Sequence, residues 1–313
     1  MARLITGGSG LVGAELAHSL VAKNESVVVF DVMKSNRLAD IEGKIKFVRG
    51  DLGNYPEVFN VVKDNNVTHI YHLGAMLTSE SEVNPWGSFQ SNVVGTYNVF
   101  EAARILGVKQ MMFTSSIGTF GETQGDVMSD IALQRPRDFY GVGKLYCEGL
   151  GRMYRRKFGL DFRAIRYPSV VGPGVNTPGH WDAPMIRSLV HGKPFQCMVP
   201  EDMSGAMLYY KDAAKAAETV LLSPPDNIKM IAYNVGAITA SPKEIENAVR
   251  KYIPSVSVIY PPKGGPMPPM KPRRWDDSYA RNEWAWSPDF TDINAIVAGF
   301  VEEMKKHPEL YQF

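Results

Sequence analysis

The sequence predicts an α/β protein: a doubly wound parallel sheet with a smaller C-terminal lobe that takes substrate. Three observations carry that prediction. Short apolar runs alternate with amphipathic helical stretches up to about residue 240, the pattern of βαβ units in a sheet covered on both faces. A glycine-rich turn, Gly7-Gly8-Ser9-Gly10-Leu11-Val12-Gly13, separates the first run from the first helical stretch. After that point comes a run bearing Pro254, Pro261, Pro262, Pro266, Pro268, Pro269 and Pro272. Proline lacks a backbone donor and fixes φ, so this run is loop or extended chain.

The elements follow in order. The first strand is Leu4-Ile5-Thr6, and a helix through Leu11, Leu16 and Leu20 ends near Asn24. A second strand, Val27-Val28-Val29-Phe30, stops at Asp31. Further strands are predicted at 45–49, 68–73, 110–114, 161–166 and 231–235, with helices near 55–65, 89–106, 140–158 and 211–222. Helices at 242–252 and 291–305 bracket the proline run. This division gives a nucleotide-binding core of 1–170 that takes back 206–236. The lobe comes from 171–205 and 237–313. No internal repeat is apparent.

Composition narrows the class. Hydrophobic residues make up 44% and charged residues 21% of 313 positions, which excludes a disordered or fibrous chain. Thirty-four basic against 33 acidic side chains leave a net charge of +1, so there is no global footprint for nucleic acid. Two cysteines, Cys147 and Cys197, make no disulfide framework and suit a reducing compartment. No apolar stretch reaches the roughly 18 residues of a membrane span. Strand sequence begins at Arg3 with no cleavable signal before it, so a cytoplasmic location is expected. The six histidines form no ligand-spaced cluster with cysteine or acid, and no metal is expected.

Gly7, Gly10 and Gly13 have the spacing of a dinucleotide-binding (Rossmann) turn. One glycine permits the tight turn, one admits a pyrophosphate to the backbone, and one lets the helix pack on the strand. The helix N-terminus, at Leu11 and Val12, favours phosphate. Glycines also mark plain turns, so context decides. Asp31 ends the second strand 18 residues after Gly13, where a carboxylate accepts from ribose hydroxyls and repels a 2′-phosphate. NAD is therefore expected rather than NADP, although Arg37 nearby is of the type that accommodates NADP. Asp51-Leu52 follows the third strand and can meet adenine; a helix N-cap is the equal alternative for Asp51.

Tyr140 and Lys144 are four apart on one helix face. An ammonium near a phenol stabilises phenolate and lowers its pKa, making a base for an alcohol or an acid for a ketone. Alone, such a pair is common by chance. Thr114-Ser115-Ser116 ends the strand 24 residues upstream, where hydroxyls point into the ligand crevice or simply cap the strand.

Together these residues resemble the extended short-chain dehydrogenase/reductase (NAD-dependent epimerase/dehydratase) superfamily. The match comprises TGGSGLVG at 6–13, Asp31, Asp51-Leu52, HLGA at 72–75, NVVGT at 92–96, SSIGTFG at 115–121, YGVGK at 140–144 and RYPSVVGP at 166–173. The resemblance implies that Ser116, Tyr140 and Lys144 carry catalysis, and that NAD is held by the glycines, Asp31, Asp51, Leu52, Leu73, Ala75, Asn92, Tyr167 and Pro168. It implies a homodimer through the helices near 89–106 and 140–158. Within the superfamily, HLGAMLTSESEVNP at 72–85, MLYYKDA at 207–213 and WDDSYARNEWAWSPDF at 275–290 are similar to the short-chain type of L-threonine 3-dehydrogenase. Ser169 and Gly205 argue against a nucleotide-sugar epimerase or dehydratase, the alternative reading.

The likeness weakens at the substrate pocket. Those dehydrogenases carry Gly-Gly-Thr-Thr-Asp where this chain has Pro178-Gly179-His180-Trp181-Asp182, and Trp-Pro where it has Lys271-Pro272. Thr78 keeps a hydroxyl where they have serine. The expected substrate is thus a small secondary alcohol met by Thr78, Ser115, His180, Trp181 and Lys271, bulkier or more anionic than threonine.

Overall fold

The computed structural model describes residues 1–121, 127–262 and 274–311. Seven parallel strands form the main sheet: β1 (Ala2–Thr6), β2 (Ser26–Asp31), β3 (Ile45–Arg49), β4 (Val67–His72), β5 (Gln110–Ser116), β6 (Asp161–Tyr167) and β7 (Ala232–Asn234). Their spatial order is β7-β6-β5-β4-β1-β2-β3. The chain reverses direction across the sheet at β1, so a crevice opens there beyond the carboxyl ends of β1 and β4.

Alternation along the strands builds two cores. Leu4, Val28, Ile70 and Met111 enter one apolar cluster, while their neighbours Ile5, Val29, Tyr71 and Met112 enter another. The first cluster is covered by α2 (Tyr55–Asp64), α3 (Gly95–Ile105) and α4 (Phe139–Phe158), through Val58, Val61, Phe100, Ala103 and Tyr154. The second is covered by α1 (Leu11–Ala22) and α5 (Tyr210–Leu222), through Leu16, Leu20, Ala217 and Val220. Each such aliphatic side chain contributes roughly 1.5–3 kcal/mol on burial. A one-residue slip of any inner strand would exchange the two sets.

A third core forms the smaller lobe. Helices Asp182–Val190, Pro242–Arg250 and Ile293–Lys306 pack Met185, Ile186, Ile245, Val249, Ile296 and Phe300 together. A three-stranded sheet, Ser169–Val171, Gly205–Tyr209 and Ile238–Ala240, lies beside them. The predicted 242–252 helix starts on a capping box: Ser241 accepts from the Glu244 N–H, and the Glu244 carboxylate accepts from the Ser241 N–H, satisfying two orphan donors.

The single helix expected at 89–106 is divided. Pro85–Ser88 is α-helical, Phe89–Val94 is a π turn, and the α-helix resumes at Gly95. A side chain from the middle of this turn, that of Asn92, bonds an adjoining loop, as described below. No described helix is long and apolar enough to cross a membrane.

Candidate active site

The glycines divide their work by geometry. Gly7 has φ +68°, and a Cβ there would lie 2.6 Å from the Gly74 backbone. A Cβ at Gly13 would collide with the Gly7 carbonyl, so the helix could not approach the strand. At Gly10 a Cβ would meet only the Gly7 oxygen, at 3.3 Å. Gly10 is also the N-cap of α1 and offers no side-chain cap. The first-turn amides, at Leu11 and Val12, therefore open on a cavity of about 970 Å³, the setting that favours an anion.

That cavity runs from Asp31, Asp51 and Leu52 at one end to Ser116, Tyr140 and Lys144 at the other. Leu73, Ala75, Tyr167 and Pro168 line it between. One Asp31 oxygen accepts from the Ser9 N–H at 3.0 Å, pinning the glycine turn to the end of β2. Asp51 accepts from the Gly53 N–H at 2.9 Å, so it closes a turn while also facing the cavity. Leu52 packs into the core below. Arg37 lines the same end, 5.9 Å from the centroid of the Tyr311 ring, and its buried Nε has no partner among the described residues.

Two predicted contacts have their polar groups tied to partners within the protein. Asn92 is buried and does not line the cavity. Its oxygen accepts from the Met76 N–H at 2.7 Å and its amide donates to the Met76 carbonyl at 2.8 Å. Ser115 borders the cavity, but its hydroxyl donates to Glu148 at 2.5 Å. Behind them His72 bridges Thr6 and Thr96, at 2.6 and 2.9 Å, and burial pushes it down to about 3, leaving it neutral.

Ser116, Tyr140 and Lys144 converge. The Ser116 oxygen accepts from the Gly118 N–H at 3.0 Å and hydrogen-bonds the Tyr140 phenol. The close approach that brings α4 to this strand end depends on Gly141, where a Cβ would lie 2.5 Å from the Gly118 oxygen. Lys144 donates to the Thr114 carbonyl at 2.6 Å, and its ammonium lies 5.3 Å from the centre of the Tyr140 ring. The expected lowering of the phenol does not appear in this state. Burial raises the Tyr140 pKa, Asp138 adds to the rise, and Ser116 opposes it. Burial also pushes Lys144 down to about 8. Loss of hydration is thus the largest effect at both groups.

The substrate end is made by Thr78, Val170, Val175, Thr177 and His180. His180 Nδ1 lies 3.2 Å from the Ser169 hydroxyl and 3.8 Å from Asp182. Trp181 is a correction: it stays in the third core with Met185 and Ile186 and does not line the cavity. A bulky ring beside the pocket residues is there to fill the lobe. Lys271 lies outside the described residues.

The profile of the NAD dependent epimerase/dehydratase family matches residues 3–236. This chain belongs to that family. Mitochondrial L-threonine 3-dehydrogenase from Bos taurus is 31% identical over 303 residues, covering 94% of this chain and 80% of its own. Among solved structures, the GalE-like L-threonine dehydrogenase from Cupriavidus necator, in its holo form, is 27% identical with a TM-score of 0.88, covering 97% of this chain and all of that one. L-threonine dehydrogenase from Phytophthora infestans is 28% identical with a TM-score of 0.87, covering 98% and 99%. The enzyme is thus an NAD-dependent, extended short-chain dehydrogenase/reductase of threonine-dehydrogenase-like fold, as its motifs implied.

The residues of this chain fit the cofactor of that family. Open first-turn amides at Leu11 and Val12 suit a pyrophosphate, and Asp31 keeps one oxygen clear of the Ser9 contact for ribose. What the sequence reading missed is Met76 on the cavity wall and the pair of Glu148 and Arg166 behind it. One signal was available, because Glu148 stands four residues beyond Lys144 on the same helix face. Among the described residues no group of three or more His, Cys, Asp or Glu is arranged to hold a metal.

Proposed function

We propose that this enzyme moves hydride between NAD and a secondary alcohol or ketone, with a β-hydroxy acid or amino-alcohol substrate of the threonine type. One observation carries the reading: Ser116, Tyr140 and Lys144 face the same cavity as the glycine turn and Asp31. Bound NAD supplies the hydride acceptor. Ser116 and Tyr140 hold the alcohol oxygen, and Tyr140 as phenolate takes the hydroxyl proton. Lys144 places positive charge beside the phenol and stabilises that phenolate. In the reverse direction Tyr140 returns its proton to the ketone oxygen. Val170 and Val175 give the substrate end apolar walls, and His180, with Thr78 and Thr177, distinguishes the alcohols it accepts. Trp181 lends no support to a bulkier substrate, so the change of specificity rests on His180.

Tyr140→Phe tests the reading on L-threonine and a panel of larger β-hydroxy acids, followed by NADH absorbance. Net NADH formation should be lost while NAD affinity stays within a factor of about two. Turnover near that of the parent enzyme overturns the assignment, and wild-type turnover without net NADH overturns the oxidation.

The division into a core of 1–170 with 206–236 and a lobe of 171–205 with 237–313 suits this chemistry, because the cavity lies between them. We also propose a homodimer. Tyr97 on α3 and Val142 and Tyr146 on α4 are each about half exposed, an apolar face suited to a helical interface. Light scattering should give twice the chain mass, and Tyr146→Glu should halve it; a monomeric parent protein rejects the dimer. Both cysteines are free and buried, which supports a reducing compartment such as the cytoplasm.

A further inference from the structure

Behind the cavity lies a buried ionic layer that the proposed chemistry does not itself use. Glu148 is 2% exposed, yet it carries a carboxylate. Arg166 grips it with two bonds, Nε to Oε1 and Nη2 to Oε2, both 2.8 Å. Ser115 donates to it at 2.5 Å and Gln134 at 3.3 Å. The bonds come from three separate parts of the chain, and two of the partners adjoin a residue of the cavity. Ser115 precedes Ser116, and Arg166 precedes Tyr167. Tyr140, Lys144 and Glu148 stand at successive turns of one face of α4.

We infer that Glu148 is a positioning residue of the active site, the buried anion that balances Lys144 and fixes the Ser115–Ser116 strand end. The inference rests on the reading that Tyr140 and Lys144 are the catalytic pair. The groups facing Lys144 leave it little else. On its own helix these are Tyr140, Cys147 and Glu148, with the thiol driven upward by burial and so neutral. From β4 comes His72, also neutral. From β5 come the Thr114 carbonyl and the Phe113 ring, 4.6 Å from the ammonium. Beyond Glu148 stand the Arg166 cation and Asp130, whose carbonyl accepts from Arg166 at 2.8 Å. Asp130 is drawn toward neutrality, pushed up to about 6. Asp138 acts on Tyr140. Burial lowers Lys144, while Cys147 and Glu148 oppose that fall. With Cys147 protonated, Glu148 is the fixed charge that does so.

Removing this charge leaves the Arg166 cation without its ion-pair partner and takes away the anion one helical turn from Lys144. The protonated form of Lys144 is then disfavoured, so its midpoint moves to lower pH, by roughly one unit or more. The test is an NMR titration of 13Cε-lysine protein, with and without NAD, in which Lys144→Met identifies the resonance. Glu148→Gln keeps the shape and most hydrogen bonds but not the charge, and should move the midpoint down from about 8. Glu148→Asp should restore most of the shift. Ser115→Ala removes a neutral contact and should leave the midpoint within about 0.3 units. If Glu148→Gln does not fold, Glu148→Asp and Ser115→Ala, which both keep the charge, should each hold the midpoint within about 0.5 units of the parent value, and a fall of about one unit or more in either overturns the inference.

Turnover with L-threonine gives a second readout, in which Glu148→Gln should bring the alkaline fall of kcat to lower pH. An unmoved Lys144 midpoint in a folded Glu148→Gln protein overturns the inference even where Tyr140→Phe is inactive. A moved midpoint with an active Tyr140→Phe enzyme instead upholds the charge balance and refutes the catalytic reading.

Discussion

Asn92 closes both ends of one peptide unit pair on Met76, accepting from its N–H at 2.7 Å and donating to its carbonyl at 2.8 Å. The clamp fixes the stretch 73–77, which carries Leu73 and Ala75 along the cavity. Asn92 itself sits within the π turn Phe89–Val94.

Asn92→Ala should therefore weaken NAD binding although Asn92 does not line the cavity. The change strands the Met76 N–H, while the Met76 carbonyl and the Ser88 hydroxyl each keep a bond to the Ser81 hydroxyl, at 3.3 and 2.8 Å. Each buried group left unpaired costs about 1–3 kcal/mol. A lower urea midpoint together with weaker NADH fluorescence enhancement is expected. Unchanged NADH affinity would show that the loop holds its shape without the clamp.

Two adjacent aromatic residues should separate cleanly. Trp181→Ala removes a core side chain and should cost about 3–5 kcal/mol, while Trp181→Phe leaves KM for the alcohol unaltered. His180→Ala should keep stability close to that of the parent, since its side chain is 36% exposed. It should raise KM by about tenfold, the loss of one hydrogen bond to substrate of about 1.4 kcal/mol. A specificity change from Trp181→Phe would return that ring to the pocket.

Asp130 gives stability a pH dependence of defined sign. Its carboxyl is pushed from 3.8 up to about 6 by burial, and its Oδ2 has no partner among the described residues. Between those values the folded protein binds more protons than the unfolded chain, so stability falls as pH rises through the window. The contribution is full below about 4 and lost above about 6, on the order of 2–3 kcal/mol. Asp130→Asn keeps the acceptor for the Asn234 N–H, which lies 2.5 Å from Oδ1. Compared with the parent, its urea midpoint should be relatively higher at pH 7.5 than at pH 4.5. An equal difference at both values refutes the assignment.

The sequence by itself determined the sheet, the nucleotide turn and the placing of Tyr140 and Lys144 on one helix face. Those features are local: alternation decides which side of a strand is apolar, spacing decides which glycines face one another, and four residues make one helical turn. The main strands fall at or near their predicted positions for that reason. The tertiary structure alone decided which polar side chains face the cavity and which brace it from behind. Asn92, the Ser115 hydroxyl and Trp181 carry no local mark of their direction, because each is directed by partners that only the fold brings together: Met76, Glu148 and the third core. The same holds for the acidity of Tyr140. Its neighbour on the helix favours the phenolate, but the packing of several elements around it removes water, and in this fold the loss of hydration is the larger effect.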